Sequence, residues 1–266
     1  MRIALAQLDS VAGDLAANGA RTADAAAAAR AAGADLVVFP ELQRSGYTVS
    51  DGAAAEEVRE AVAGLGDLAA LVCFHERDGG HRYDSAAYAD GGTLVHVQRK
   101  VYLVDYPPFD EHLRFAPGES LRAFDTALGR MAVLICNDAW QPFLPSLAVH
   151  DGAEILLVPA ASSNVVAEAE AYWRELTRFY ARMLECYVVF VNRVGTEAGF
   201  TFWGGSHVVD PVGDVVAEAP RLDEALLVAD VELDRVAARR RELPLVGDLR
   251  ADVLHAELAR LLPVKA

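Results

Sequence analysis

Lysine is almost missing from this chain. Of its 24 basic residues only Lys100 and Lys265 are lysines, and every other cation is arginine. Arginine carries a wide, planar, permanently charged fork. Lysine carries a compact ammonium that can sit beside a reacting atom and exchange a proton when its surroundings shift its pKa. Lys100 closes the apolar run Thr93–Arg99, so it is either a solvated strand end or a residue kept for chemistry that arginine cannot do. Cysteine is scarce too. Cys73, Cys136 and Cys186 form an odd, widely spaced set, which argues against a disulfide framework, fits a reducing compartment and leaves room for a reactive thiol.

Other absences narrow the function further. The net charge of -15 argues against a protein that tracks nucleic-acid phosphates or sits on an anionic membrane. No stretch approaches the roughly 20 apolar residues of a membrane span. Met1–Asp9 lacks the apolar core of about 7–15 residues that marks a signal peptide, so a cytoplasmic protein is expected. The seven histidines (His75, His81, His96, His112, His150, His207 and His255) show no His-Glu-x-x-His spacing, so no metal is expected. There is no Gly-x-Ser-x-Gly elbow, no P-loop and no Gly-x-Gly-x-x-Gly after a strand, so neither a serine hydrolase nor a nucleotide cofactor is expected.

What is present is an apolar chain, 53% hydrophobic, with short β-branched runs from end to end. Ile3–Leu8, Leu36–Phe39, Leu68–Phe74, Ala86–Tyr88, Leu94–Val97, Met131–Ile135, Ile155–Val158, Tyr187–Val191, Val208–Val209, Val215–Val216 and Leu226–Val231 read as strands. Several are apolar on both faces, as in sheets buried between layers. Asp14–Ala32, closed by Gly33, reads as a helix. Glu168–Glu185 reads as another, with an apolar stripe suited to core or subunit interface. Asp90-Gly91-Gly92 and Asp210–Asp214 read as hairpin turns. The mixture predicts one α/β domain over residues 1–266, with residues 234–266 as a C-terminal arm.

Three strand ends stand out. Leu36–Phe39 runs into Pro40 and Glu41, which places a carboxylate at the edge where α/β folds commonly carry their sites; it is a candidate general base or an ordinary loop acid. The second is Lys100. The third is Cys136, which ends the run Met131–Ile135 and precedes a polar turn and a helix expected from Pro142. A cysteine at such a turn can be exposed in a cleft and stabilised as thiolate, and the Asn137 N–H would lie near an oxyanion formed by its attack on a carbonyl. Cys73 and Cys186 lie in or beside apolar strands and read as core. Glu111, eleven residues after Lys100, is a surface acid or a second carboxylate near the site, and spacing alone does not decide.

Taken in order, Phe39-Pro40-Glu41, Arg99–Leu103, Glu111 with Phe115 and Pro117-Gly118, and Leu134–Asp138 resemble the nitrilase superfamily of carbon–nitrogen hydrolases, in its amidase-like branch. Met1–Asp9, Gly152–Pro159, Trp173 with Arg182 and Glu185, Tyr187–Gly195, and Gly204-Gly205-Ser206 with Asp210-Pro211 and Gly213 extend the similarity over most of the chain. The resemblance implies a four-layer α-β-β-α sandwich, often paired through helices into an eight-layer dimer, and so a homodimer or higher homo-oligomer. It implies a triad of Glu41 as base, Lys100 as oxyanion partner with the Asn137 N–H, and Cys136 as nucleophile, with Glu111 orienting Lys100 and no cofactor.

The residues after the nucleophile, Asn137-Asp138, depart from the Trp-Glu of nitrile hydrolysers and point to an amide. The Phe109-Asp110-Glu111 and Cys136…Asp138…Trp140 phrases look similar to the glutamine-hydrolysing domains fused to NAD synthetases. Expected substrates are therefore a small carboxamide, an N-carbamoyl compound or glutamine, with acyl transfer as an alternative outcome and a catalytically silent binding subunit as the non-enzyme alternative. Tyr47, Phe109, Asn164, Trp173, Phe202 and Trp203 are expected around the substrate, from their places on loops flanking the triad segments.

Overall fold

The computed structural model of the chain describes residues 1–48 and 55–262. Residues 263–266 of the expected arm, Lys265 among them, lie outside these. Strands β1 (Arg2–Gln7), β2 (Leu36–Val38), β3 (Ala69–Asp78), β4 (His81–Asp90) and β5 (Thr93–Arg99) build most of one sheet. Strands β6 (Phe124–Thr126), β7 (Gly129–Val133), β8 (Ile155–Ala160) and β9 (Tyr187–Asn192) begin a second. A small hairpin follows, β10 (Val194–Glu197) and β11 (Phe200–Trp203). Strands β12 (His207–Val209) and β13 (Val215–Glu218) complete the second sheet, and β14 (Ala225–Asp230) returns to the first beside β1. The sheet orders are β14-β1-β2-β3-β4-β5 and β13-β12-β9-β8-β7-β6.

Alternation along the strands sorts side chains into layers. In β1, Ile3 and Leu5 face the second sheet, where they meet Met131, Val133, Ile155, Leu157, Val189 and Val191. Ala4 and Ala6, on the other face, pack with Ala26 and Ala29 of helix α1 (Leu15–Ala31); alanine on both sides lets the helix approach closely. Asp14 caps α1 by accepting from Ala17 N at 3.0 Å. A single turn, α2 (Val58–Ala61), lies beyond it. On the outer face of the second sheet, Ala132, Leu134, Leu156, Val158, Val188 and Phe190 pack with α3 (Phe143–His150) and α4 (Ala169–Met183). The result is the four-layer α-β-β-α sandwich.

Several boundaries differ from the sequence reading. The strand expected at Ala86–Tyr88 runs over His81–Asp90, because its polar first half pairs with the equally polar end of β3, Arg82 opposite Arg77 and Asp84 opposite His75. The β10–β11 hairpin was not anticipated. Gly195 and Gly199 dilute its pattern, and its two-residue turn, Ala198-Gly199, has φ of 48° and 88°, the left-handed geometry such turns require. The apolar stripe on α4 divides into two faces: Trp173 and Tyr180 are buried, whereas Tyr172, Phe179 and Met183 are 44%, 56% and 42% exposed. The C-terminal segment divides as well. Helix α5 (Leu233–Glu242) buries Val236 in the main core, whereas α6 (Ala251–Leu261) buries no residue. Among the described residues no helix is long and apolar enough to cross a membrane.

Candidate active site

Strand direction brings the three expected groups together. β1, β2 and β3 are parallel, and β5 runs with β3 because two antiparallel steps separate them. The turn after β2 and the end of β5 therefore share one edge of the first sheet, which places Glu41 beside Lys100. β7 and β8 are parallel in the facing sheet, so Cys136 and Ala161 emerge at the matching edge. Gly118 seals the end of β5: its N–H donates to Lys100 O at 2.7 Å, and a Cβ there would meet Arg99 O at 2.5 Å. No side chain fits that approach.

At the centre is the Lys100 ammonium, fully buried. It donates to Glu41 Oε1 at 2.6 Å and to Glu111 Oε1 at 2.9 Å, and it lies 3.4 Å from Asp84 Oδ2. Glu41 also accepts from Ala161 N at 2.7 Å. Glu111 also accepts from Val104 N at 2.8 Å and from the Tyr47 hydroxyl at 2.7 Å. The three carboxyls are close enough together to hold a metal ion, but the ammonium occupies their centre. Burial works against the charge on Lys100, and Glu111, Glu41 and Asp84 outweigh it, holding the amine well above the usual lysine range. Burial also works against the charge on Glu41, where Lys100 and the hydrogen bonds prevail and keep the carboxyl below its usual range.

Cys136 has φ of 44°, a conformation that non-glycine residues seldom adopt and that a functional turn can hold. Asp138 pins the turn. Its carboxylate accepts from Ile135 N at 3.2 Å and, across the cleft, from Val101 N at 3.0 Å and Tyr102 N at 2.8 Å. The segment that carries the thiol is thereby tied to the segment that carries the ammonium. The Asn137 amide adds bonds to Tyr102 O and Leu103 O at 3.1 and 3.3 Å. Burial and the charge of Glu41 push the Cys136 thiol well above its usual range, with Lys100 opposing, so the thiol rests protonated beside an ionised carboxylate. Cys73 and Cys186 are both fully buried.

Cys136 opens into a tight cavity, ≈ 30 Å³ of solvent-accessible space. Tyr47, Phe109 and Trp173, expected around the substrate, line it with Tyr106, Trp140 and Ser162. Asn164, Phe202 and Trp203 do not. Asn164 is tied to Thr201, accepting its N–H at 3.1 Å. Phe202 packs beneath the Arg193 guanidinium at 4.4 Å. Trp203 stacks on Phe190 and donates to Ser162 Oγ at 3.2 Å. A place next to a site segment in sequence did not translate into a place on the cavity wall: Asn164 lies in the turn after β8, and Phe202 and Trp203 on β11 are taken up by Arg193 and Phe190. Two contributors carried no signal in the sequence, Asp84 and Tyr106. Trp140, four residues past Cys136 on the same short turn, was marked there only as part of a family-like phrase and not as a wall of the cavity.

The family model for carbon-nitrogen hydrolases matches residues 2–241. The chain belongs to this family. Among relatives, it is 29% identical to a glutamine-dependent NAD(+) synthetase of Acinetobacter baylyi over 88% of this chain and 44% of that one, so it spans less than half the length of that relative. It is 32% identical to the N-carbamoylputrescine amidase of Arabidopsis thaliana over 71% of this chain and 68% of that one. Among solved structures, a carbon–nitrogen hydrolase from Helicobacter pylori superposes with a TM-score of 0.89 at 26% identity, covering 98% and 99% of the two chains. An amidase from Nesterenkonia sp. AN1, solved with the acetamide moiety of fluoroacetamide bonded to its active-site cysteine, superposes with a TM-score of 0.80 at 28% identity, covering 96% of each. As a carbon–nitrogen hydrolase with amidase relatives, the protein is an enzyme that cleaves carbon–nitrogen bonds other than peptide bonds.

Proposed function

We propose that the protein hydrolyses a small uncharged carboxamide through a thioester on Cys136. Glu41 takes the thiol proton as sulfur attacks the carbonyl carbon, and the electron pair of the carbonyl moves to its oxygen. Lys100 and the Asn137 N–H stabilise that oxyanion. On collapse the C–N bond breaks and the nitrogen leaves as ammonia with the proton held by Glu41. Water then attacks the thioester, again losing its proton to Glu41, and the carboxylic acid departs with the thiol restored. The observation that carries this reading is the buried ammonium held at 2.6 and 2.9 Å between Glu41 and Glu111 beneath a cavity walled in part by Cys136. A thiol pushed up in pKa needs a base acting in the same step as attack, and an ionised Glu41 is that base.

The cavity wall favours a neutral substrate. Among the described residues that line it there is no Arg, Lys, Asp or Glu side chain. The ammonium and carboxylate of glutamine, or the amine of a carbamoylated diamine, would be buried there without a partner at a large cost. This supports a simple amide over the glutaminase reading. Hydrolysis is favoured over acyl transfer by the small free volume, which admits water more readily than a second amine. The reading also has the enzyme working in the cytoplasm without cofactor, nucleic acid or membrane, and as a homodimer through the exposed apolar face of α4.

The test is ammonia release from acetamide, propionamide, benzamide, an N-carbamoyl amine and glutamine. Simple amides are expected to turn over fastest, and Cys136→Ala to lose on the order of 10⁴-fold or more while keeping its circular dichroism spectrum. Turnover that survives this substitution would remove Cys136 from the mechanism. Glutamine as the best substrate would sink the neutral-amide reading.

A further inference from the structure

The site holds one more carboxyl than its chemistry uses. Asp84 lies in β4 just before the part that pairs with β5 and opposite the Lys100 backbone, whose N–H donates to Asp84 O at 2.8 Å. Its side chain is wholly buried and faces Glu41, Lys100 and Glu111, with Cys73 and His75 on the neighbouring strand β3 and Cys136 across the cleft. Neither of its oxygens receives a hydrogen bond, and its approach to the Lys100 ammonium, 3.4 Å, lacks hydrogen-bond geometry.

Three ionised carboxylates around one ammonium would bury a net double negative charge, which a low-dielectric interior does not tolerate. One carboxyl must keep its proton, and the donors say which. Glu41 has the Lys100 ammonium and Ala161 N. Glu111 has the ammonium, Val104 N and the Tyr47 hydroxyl. Asp84 has none, and it lies in hydrogen-bonding reach of Glu41. Two like carboxylates in such contact repel, whereas a carboxylic acid and a carboxylate share a strong bond.

We propose that Asp84 rests as the neutral acid and donates its proton in a hydrogen bond to Glu41, acting as a positioning residue that fixes the base and leaves the third proton of Lys100 free for the oxyanion. The step-by-step chemistry is unchanged, because the Asp84 proton is held throughout and not transferred. Burial and the charge of Glu41 both drive Asp84 well above the usual carboxylate range, in agreement with this geometry. The inference rests on Glu41 being the base, but its first readout below does not involve turnover, so the two can fail separately.

Infrared difference spectroscopy reads the proton directly. The spectrum of the parent minus Asp84→Asn is expected to show the carbonyl band of a protonated carboxyl at about pH 9, where Asp138, pushed up by burial to about 7, is already ionised. Should the variant fail to fold, the parent alone must still show that band at the same pH, and its absence overturns the proposal. In kinetics, Asp84→Leu is expected to lower kcat about 10–100-fold, and Asp84→Asn, whose amide can donate the same bond, to recover most of that loss. Equal damage from both substitutions overturns it.

Stability gives a third reading. Above the unfolded carboxyl value of ~3.9 the unfolded chain releases this proton while the folded protein keeps it. The parent therefore loses stability relative to Asp84→Asn as pH rises, up to the raised folded pKa. A difference in Tm that instead grows in favour of the parent with pH would mean that Asp84 is ionised.

Discussion

Lys100 and Arg193 are both buried cations, each only 1% exposed, and their surroundings are built on different principles. Arg193 lies in a closed knot. Its fork pairs with Glu197, reaches Asp9 at 2.9 Å and Ser10 O at 2.7 Å, and its face lies over the Phe202 ring. Glu197 in turn receives the N–H groups of Tyr47 and Thr48. Lys100 has three carboxyls around it, Glu41, Glu111 and Asp84, and stands next to a cavity walled in part by the Cys136 thiol. Where the fold needs a cation for structure it uses the planar fork and spreads it over Glu197, Asp9 and Ser10, with only Nε left over. Where it needs one for chemistry it uses the compact amine and leaves capacity unfilled toward the reacting atoms.

The two clusters are connected, which explains why a structural ion pair stands so near the site. Glu197 fixes the backbone of Tyr47, and the Tyr47 hydroxyl holds Glu111, which holds Lys100. The comparison can be broken at several points. The largest effect is expected at Lys100, where a guanidinium cannot fit between Glu41 and Glu111 without displacing one of them. A smaller one is expected at the other cation. Arg193→Lys keeps the charge but loses the fork, and should cost about 2 kcal/mol, roughly 4–8 °C in Tm, with less than a tenfold fall in kcat/KM. Calorimetry beside ammonia release separates the two, and an Arg193→Lys enzyme with full stability and no turnover would erase the distinction drawn here. The smallest catalytic effect is expected on the outer face of α4. There Phe179→Glu should halve the mass seen by light scattering, and a parent that is already monomeric would refute the proposed homodimer.

How much of this was legible in the sequence depended on whether a residue stood out against its neighbours. Glu41, Lys100 and Cys136 each end an apolar run, so the break in pattern marked them, and the layering followed from the same runs. Glu111 carried no such contrast; the resemblance alone pointed it at Lys100, and the fold puts it there at 2.9 Å. Asp84 was hidden in the polar first half of β4, where an acid reads like any surface residue until its strand is found to be buried. The Arg193–Glu197 pair depends on the β10–β11 hairpin, whose glycines masked it. Asn164, Phe202 and Trp203 lie off the cavity wall, since nearness along the chain to site segments says nothing about which way a side chain points.

The claim at the centre of this account is that a chain built on arginine retains a lysine at position 100 for its size and its free proton. It is tested most directly by kcat/KM of Lys100→Arg on the best simple amide, with the fold checked by circular dichroism. A folded enzyme reduced on the order of 10³-fold or more is the predicted result. A folded Lys100→Arg enzyme working within about tenfold of the parent, less than ~1.4 kcal/mol in transition-state stabilisation, would contradict it.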